Sequence, residues 1–117
     1  MTETGSGGLK VQTEVRGDAV VVKPQGEIDL TASPVLRQAL KQVQTSKPQV
    51  LVVDLAGVPY MDSSGVATLV EAMQIARKNG TRMALASLQD KVRSIFEIAR
   101  LDTVFTIHPS AEAAIGS

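Results

Sequence analysis

Residues 49–66 read QVLVVDLAGVPYMDSSGV, and two signals meet inside them. The first half is a continuous run of apolar, strand-forming residues, as expected of a strand covered on both faces and placed centrally in a sheet. The second half opens a helix: Val66, Leu69, Val70, Met73 and Ala76 follow the i, i+3, i+4, i+7, i+10 spacing of a single buried stripe, and Asn79-Gly80 supplies the stop. A buried strand handing over to an amphipathic helix points to α/β architecture with parallel crossovers.

Working outward, the same logic orders the rest of the chain. KVQTEVR alternates, placing Val11, Thr13 and Val15 on one face, and Gly17-Asp18 turns it into AVVVKPQG, a β-hairpin. Pro24 lacks an N–H for the ladder, so the second strand is expected to end there or to lie exposed. Thr31 or Ser33 can cap the next helix, Pro34 suits its first turn, and Leu36, Ala39, Leu40 and Val43 form its buried stripe. Beyond Gly80, TRMALAS is a short strand, and Val92, Ile95, Phe96 and Ala99 mark a third helix that Arg100 would finish at the negative end of its dipole. TVFTIH is a last strand before an Ala-rich helical turn. The predicted order is β-β-α-β-α-β-α-β-α, a mixed, mostly parallel sheet of about five strands with about four helices. Residues 1–8, MTETGSGG, are small and polar and are expected to form a flexible tail, with one domain over 9–117.

Composition removes several kinds of function. The chain has 117 residues, enough for one core and too few for two ordinary domains. Twelve basic side chains balance twelve acidic ones, so no net field favours nucleic acid or an anionic membrane. There is no cysteine, hence no disulfide and no thiolate nucleophile or metal ligand. No apolar run approaches the roughly 18 residues of a membrane span, and no basic-then-apolar leader opens the chain, so a cytoplasmic protein is expected. No glycine-rich phosphate cradle is present, and the carboxylates Glu27, Asp29, Asp54 and Asp62 are too scattered to argue a metal cage. Neither a cofactor nor a metal is expected. Ser63, Asp62 and the single histidine, His108, are the residue types of a hydrolytic triad, but the G-x-S-x-G turn that exposes such a nucleophile is absent. An enzyme is not expected.

What remains is DSSG at 62–65. One side-chain oxygen, of Asp62 or Ser63, suffices as an N-cap, yet the segment supplies three candidates followed by Gly65, a poor helix former. The surplus raises a second reading beside the structural cap: an exposed backbone that another protein approaches closely, with Gly65 leaving the serines unscreened. A phosphate on Ser63 would add about −1.5 to −2 charge where a helix amino terminus favours it, so its effect would fall on a partner rather than on the fold.

These residues resemble the STAS domains, and among them the small bacterial anti-sigma-factor antagonists. The resemblance rests on GEID at 26–29, VVDLAGVPYMDSSGV at 52–66 and RLDTVFTIHPS at 100–110, and covers nearly everything from Lys10 onward. It implies a STAS-like domain that binds, when unphosphorylated, an anti-sigma factor that is a serine kinase of the histidine-kinase-like ATPase fold, thereby freeing the sigma factor. Phosphorylation of Ser63 would abolish binding, and a metal-dependent (PP2C-type) phosphatase would restore it. Asp62, Ser63, Ser64 and Gly65 would frame the contact, with Asp29 and Thr31 beside them, Glu27 a weaker candidate and Ser64 a possible second acceptor. The free protein is expected to be a monomer. Where family members commonly carry a second glycine, this chain has Ala67, whose methyl narrows a partner's approach. An adaptor role without phosphorylation, in a stress-sensing assembly or on a lipid-transport ATPase, and a small hydrolase using Ser63 are the competing readings.

Overall fold

The computed structural model describes residues 2–6, by their backbone alone, and 8–117. Six strands form one sheet in sequence order: β1 (Thr2–Ser6), β2 (Leu9–Arg16), β3 (Ala19–Gln25), β4 (Val50–Asp54), β5 (Arg82–Ala86) and β6 (Thr106–His108). The first three are antiparallel to one another, and β3 through β6 run parallel. The parallel neighbours are joined through α1 (Ser33–Gln44), α2 (Ser63–Asn79) and α3 (Asp90–Ile98), as crossovers require, and α4 (Ala111–Ile115) follows β6. The order from the hairpin onward is the expected one.

Period-two alternation sorts the strand residues onto two layers. Val20, Val22, Leu51, Val53 and Leu85 face the main core, where Leu36 and Leu40 of α1, Leu69 and Met73 of α2, and Val92 and Phe96 of α3 pack on them. Val21, Val52, Ala84 and Ala86 face the other way, onto Ala111 and Ala114 of α4. Because both faces of β4 are covered, its sequence shows no alternation. Small side chains on the second face let the short α4 lie close, and Arg82 fastens it by donating to the Ala114 and Ile115 carbonyls at 3.0 and 3.2 Å.

Several sequence expectations change. Within the stretch expected to be a loose tail, Thr2–Ser6 pairs with β2, with Thr2 opposite Thr13 and Ser6 opposite Leu9; pairing of this kind uses backbone groups and needs no apolar side chain. Pro24 neither ends β3 nor lies exposed. It is buried, and is tolerated because the β4 ladder stops at Val22, so no partner on that side needs its missing N–H. Neither Thr31 nor Ser33 caps α1; the Asp29 carboxylate accepts from the Ala32 N–H at 2.9 Å instead. In α3, Ala99 is exposed and lies past the last helical residue, while Arg100 has a left-handed backbone (φ 58°) that starts a 3-10 turn over Leu101–Thr103. Val15, on the same strand face as the fully buried Val11, is 71% exposed.

Candidate functional site

The site is built from two loops that continue the parallel sheet beyond its strands. The chain after β3 runs beside the chain after β4: Gly26 N–H donates to the Gly57 carbonyl at 2.9 Å, Ile28 N–H to that of Tyr60 at 3.0 Å, and Asp62 N–H to that of Ile28 at 3.1 Å. Isolated bridges at Gln25–Gly57 and Ile28–Met61 mark the same pairing. Ile28 and Met61 are fully buried beneath it. Asp29, Leu30 and Thr31 are thereby carried to the start of α2, more than 30 residues away in sequence.

At that start, Asp62 is the N-cap, with an extended backbone (φ −100°, ψ −171°). Its Oδ1 accepts from Ser64 N–H at 2.9 Å, Ser64 Oγ at 2.5 Å and, more weakly, Gly65 N–H at 3.4 Å. The Ser64 hydroxyl is the main cause that lowers the carboxyl's pKa below its ordinary value; the N–H groups of Ser64, Gly65 and Leu30 add to it, and desolvation opposes them. The bond from the Asp62 N–H to the Ile28 carbonyl ties the first loop to the helix cap. Ser63, the first residue of α2, is exposed, and its hydroxyl makes no hydrogen bond among the described residues.

The structure therefore brings together Asp29, Thr31, Asp62, Ser63 and Ser64, the first two and Ser63 being exposed and the others half-buried. Glu27 is exposed on the same loop. Gly65 departs from its expected role. It is buried, and a Cβ there would stand 2.9 Å from Ile28 Cγ2 and 3.2 Å from Met61 Cβ, so the glycine admits the loop beneath the helix rather than a partner above it. Ala67, by contrast, is exposed at the start of the second turn of α2.

Sequence reasoning missed the apolar part of the surface. Leu30 is 75% exposed, Tyr60 43% and Ile98 84%. Beside them Ser63, Val66, Ile95 and Ala99 line a shallow, mostly apolar depression between α2 and α3. The available signal was positional: Ile98 falls off the buried stripe of α3, and Leu30 shares its loop with Ile28, which takes the buried place.

No triad is assembled. His108 Nε2 lies 3.4 Å from Ser117 Oγ on the α4 side, and the Asp62 carboxylate is occupied by Ser64. Among the described residues no group of three or more His, Cys, Asp or Glu side chains is placed to hold a metal ion, and no helix is long and apolar enough to cross a membrane.

Comparison with known proteins converges on the same segments. The model of the STAS domain matches residues 10–114. An anti-sigma-B factor antagonist of Listeria monocytogenes is 33% identical over 90 residues, 77% of this chain and 79% of that protein. One from Staphylococcus aureus is 25% identical over 104 residues, 89% and 96% of the two chains. The crystal structure of an anti-sigma factor antagonist from Mycobacterium paratuberculosis superposes with a TM-score of 0.86 at 27% identity, covering 92% of each chain. With the family match spanning both paired loops and the capped serines, this chain belongs to the STAS domain family.

Proposed function

We propose that this protein is an anti-sigma factor antagonist whose binding is controlled by phosphorylation of Ser63. With Ser63 unmodified it binds an anti-sigma factor that is also a serine kinase, releasing the sigma factor; the phosphate ends the complex, and a metal-dependent phosphatase resets it. It acts as a binding protein rather than an enzyme, in the cytoplasm, and is a monomer when free. The names of its relatives support the antagonist role. The observation that carries the switch is the exposed, unbonded hydroxyl of Ser63 at the head of a capped helix, next to apolar surface.

The chemistry follows from what surrounds that oxygen. The first-turn N–H groups of Ser64 and Gly65 point to Asp62, and that of Val66 donates to the Asp62 carbonyl at 3.2 Å. A phosphate on Ser63 finds these donors taken and projects outward, adding about −1.5 to −2 charge beside an ionised carboxylate. A partner seated on Leu30, Tyr60 and Ile98 must then desolvate a dianion it was not built to pair. The scaffold is unaffected, since nothing buried depends on Ser63.

Titration calorimetry with a purified anti-sigma factor serine kinase tests this. Wild type and Ser63→Ala bind alike, Ser63→Glu binds roughly tenfold to a thousandfold more weakly, and all three melt within a few degrees of one another. With ATP, mass spectrometry finds one phosphate on wild type and none on Ser63→Ala. Full labelling of Ser63→Ala, or undiminished binding by Ser63→Glu, overturns the proposal.

A further inference from the structure

The two adjacent hydroxyls of this segment sit in opposite chemical states. Ser63 Oγ is exposed and unbonded among the described residues, whereas Ser64 Oγ is half-buried and 2.5 Å from Asp62 Oδ1. An ionised carboxylate offers only lone pairs, so the Ser64 hydroxyl is the donor and its one proton is committed. The same carboxylate takes the N–H groups of Ser64 and Gly65, while the Asp62 N–H donates to the Ile28 carbonyl at 3.1 Å, so the residue is held both from its own helix and from the neighbouring loop. These contacts also keep the carboxyl pKa low, making it a poor base that restrains the Ser64 proton without removing it.

We infer that Asp62 is the positioning residue that makes this a single-acceptor site, tying Ser64 back to its own chain and leaving Ser63 as the hydroxyl free to receive a phosphoryl group. The inference rests on the reading of Ser63 as a phospho-acceptor and extends it to the choice between neighbours. In the transfer, a serine Oγ–P bond forms, the bond from the γ-phosphorus of ATP to the β,γ-bridging oxygen breaks, ADP leaves, and the hydroxyl proton passes to a base on the kinase. Ser64 Oγ is half-buried and held turned toward Asp62, so it can face an incoming phosphorus only by rotating outward, which breaks a charge-assisted hydrogen bond. Ser63 meets no such barrier. A strict one-phosphate state follows, each molecule being either modified at Ser63 or not.

The test has two arms. Without any kinase, proton NMR of the wild type should show a slowly exchanging hydroxyl proton for Ser64 and none for Ser63, and Asp62→Ala should lose it. Fast exchange of the Ser64 hydroxyl in wild type overturns the inference whatever the function of the protein. In the second arm, a purified anti-sigma factor serine kinase and ATP are applied to Ser63→Ala, Ser63→Ala/Asp62→Ala and Ser63→Ala/Asp62→Asn, each checked for folding by circular dichroism. Removing the carboxylate should raise phosphate on Ser64 by roughly tenfold or more, the factor a hydrogen bond to a charged group is worth. The asparagine variant keeps a helix cap and should fall between. Equal labelling in all three overturns the inference, as does a Ser63→Ala protein labelled on Ser64 as fast as wild type is on Ser63. Failure of wild type to accept phosphate would instead count against Ser63 as acceptor, leaving the hydroxyl measurement to decide the role of Asp62.

Discussion

A methyl group added at residue 65 would stand 2.9 Å from Ile28 Cγ2, 3.1 Å from the Ile28 carbonyl oxygen and 3.2 Å from Met61 Cβ. Helix propensity favours alanine over glycine by about 1 kcal/mol, while overpacking a fixed backbone costs about 1–3 kcal/mol, so sterics win. Gly65→Ala should therefore lower the urea midpoint despite sitting in a helix, and it should weaken partner binding by shifting the Ile28 loop. A rise in the midpoint would show that the loop yields. The serines and the aspartate could be found from the sequence because their side chains announce capping and phosphate chemistry. The use of Gly65 could not: a missing side chain looks the same whether space is needed outside the helix or beneath it. Leu30 and Ile98 escaped notice for the complementary reason, since an apolar residue announces burial and here meets solvent.

Among the elements, α2 shows how completely local chemistry can fix two ends. It begins at Asp62 and stops at Gly80, whose left-handed backbone (φ 73°) turns the following Thr81 N–H onto the Ala76 carbonyl at 2.8 Å. Among the described residues, and apart from its chain neighbours, no atom lies within 4 Å of where a Gly80 side chain would begin, so Gly80→Ala isolates the backbone cost. It should destabilise the protein by about 1–2 kcal/mol, read from thermal or urea unfolding, with partner binding unchanged. Both ends of this helix were legible because each depends on one residue type. The start of α1 was only partly legible: Thr31 and Ser33 stood out as caps though neither serves, and the carboxylate that accepts from the Ala32 N–H is Asp29, a residue type that suits a helix start and an exposed contact alike. Strand β1 was illegible for a different reason. Its pairing is a property of the backbone, and the residues TETGS carry no periodicity that would betray it.

Across the whole molecule, charge is balanced but placed. Arg16 joins Glu14 on its own strand to Glu112 of α4, Lys23 lies 3.1 Å from Glu14, and Arg37 of α1 meets Glu71 of α2. Hydrogen bonds from Arg16 and then Lys23 hold the Glu14 carboxyl down to about 2, and the carboxyls of Glu71, Glu112 and Asp62 are likewise lowered, through Arg37, Arg16 and Ser64 first. Below the ordinary carboxylate range the unfolded chain binds protons that the folded one refuses, so stability present above about pH 4.5 is lost as pH falls toward about 2. The melting temperature should decline over that window, less steeply in Glu14→Gln. The effect should be modest, and smaller in high salt, because these pairs are partly exposed. A flat profile would mean that the pairs do not persist in solution. The two-layer core was legible as a whole, since the uninterrupted run at β4 demands cover on both sides; that the second cover is only the short α4 depends on the small side chains of Ala84 and Ala86, which read as weak strand formers. The stitched loops of Ile28 and Tyr60 bear on kinetics. Because the receptor surface is already ordered before encounter, docking freezes little backbone, association should resemble rigid-body capture, and the gain or loss of one phosphate should register mainly in how long the complex survives.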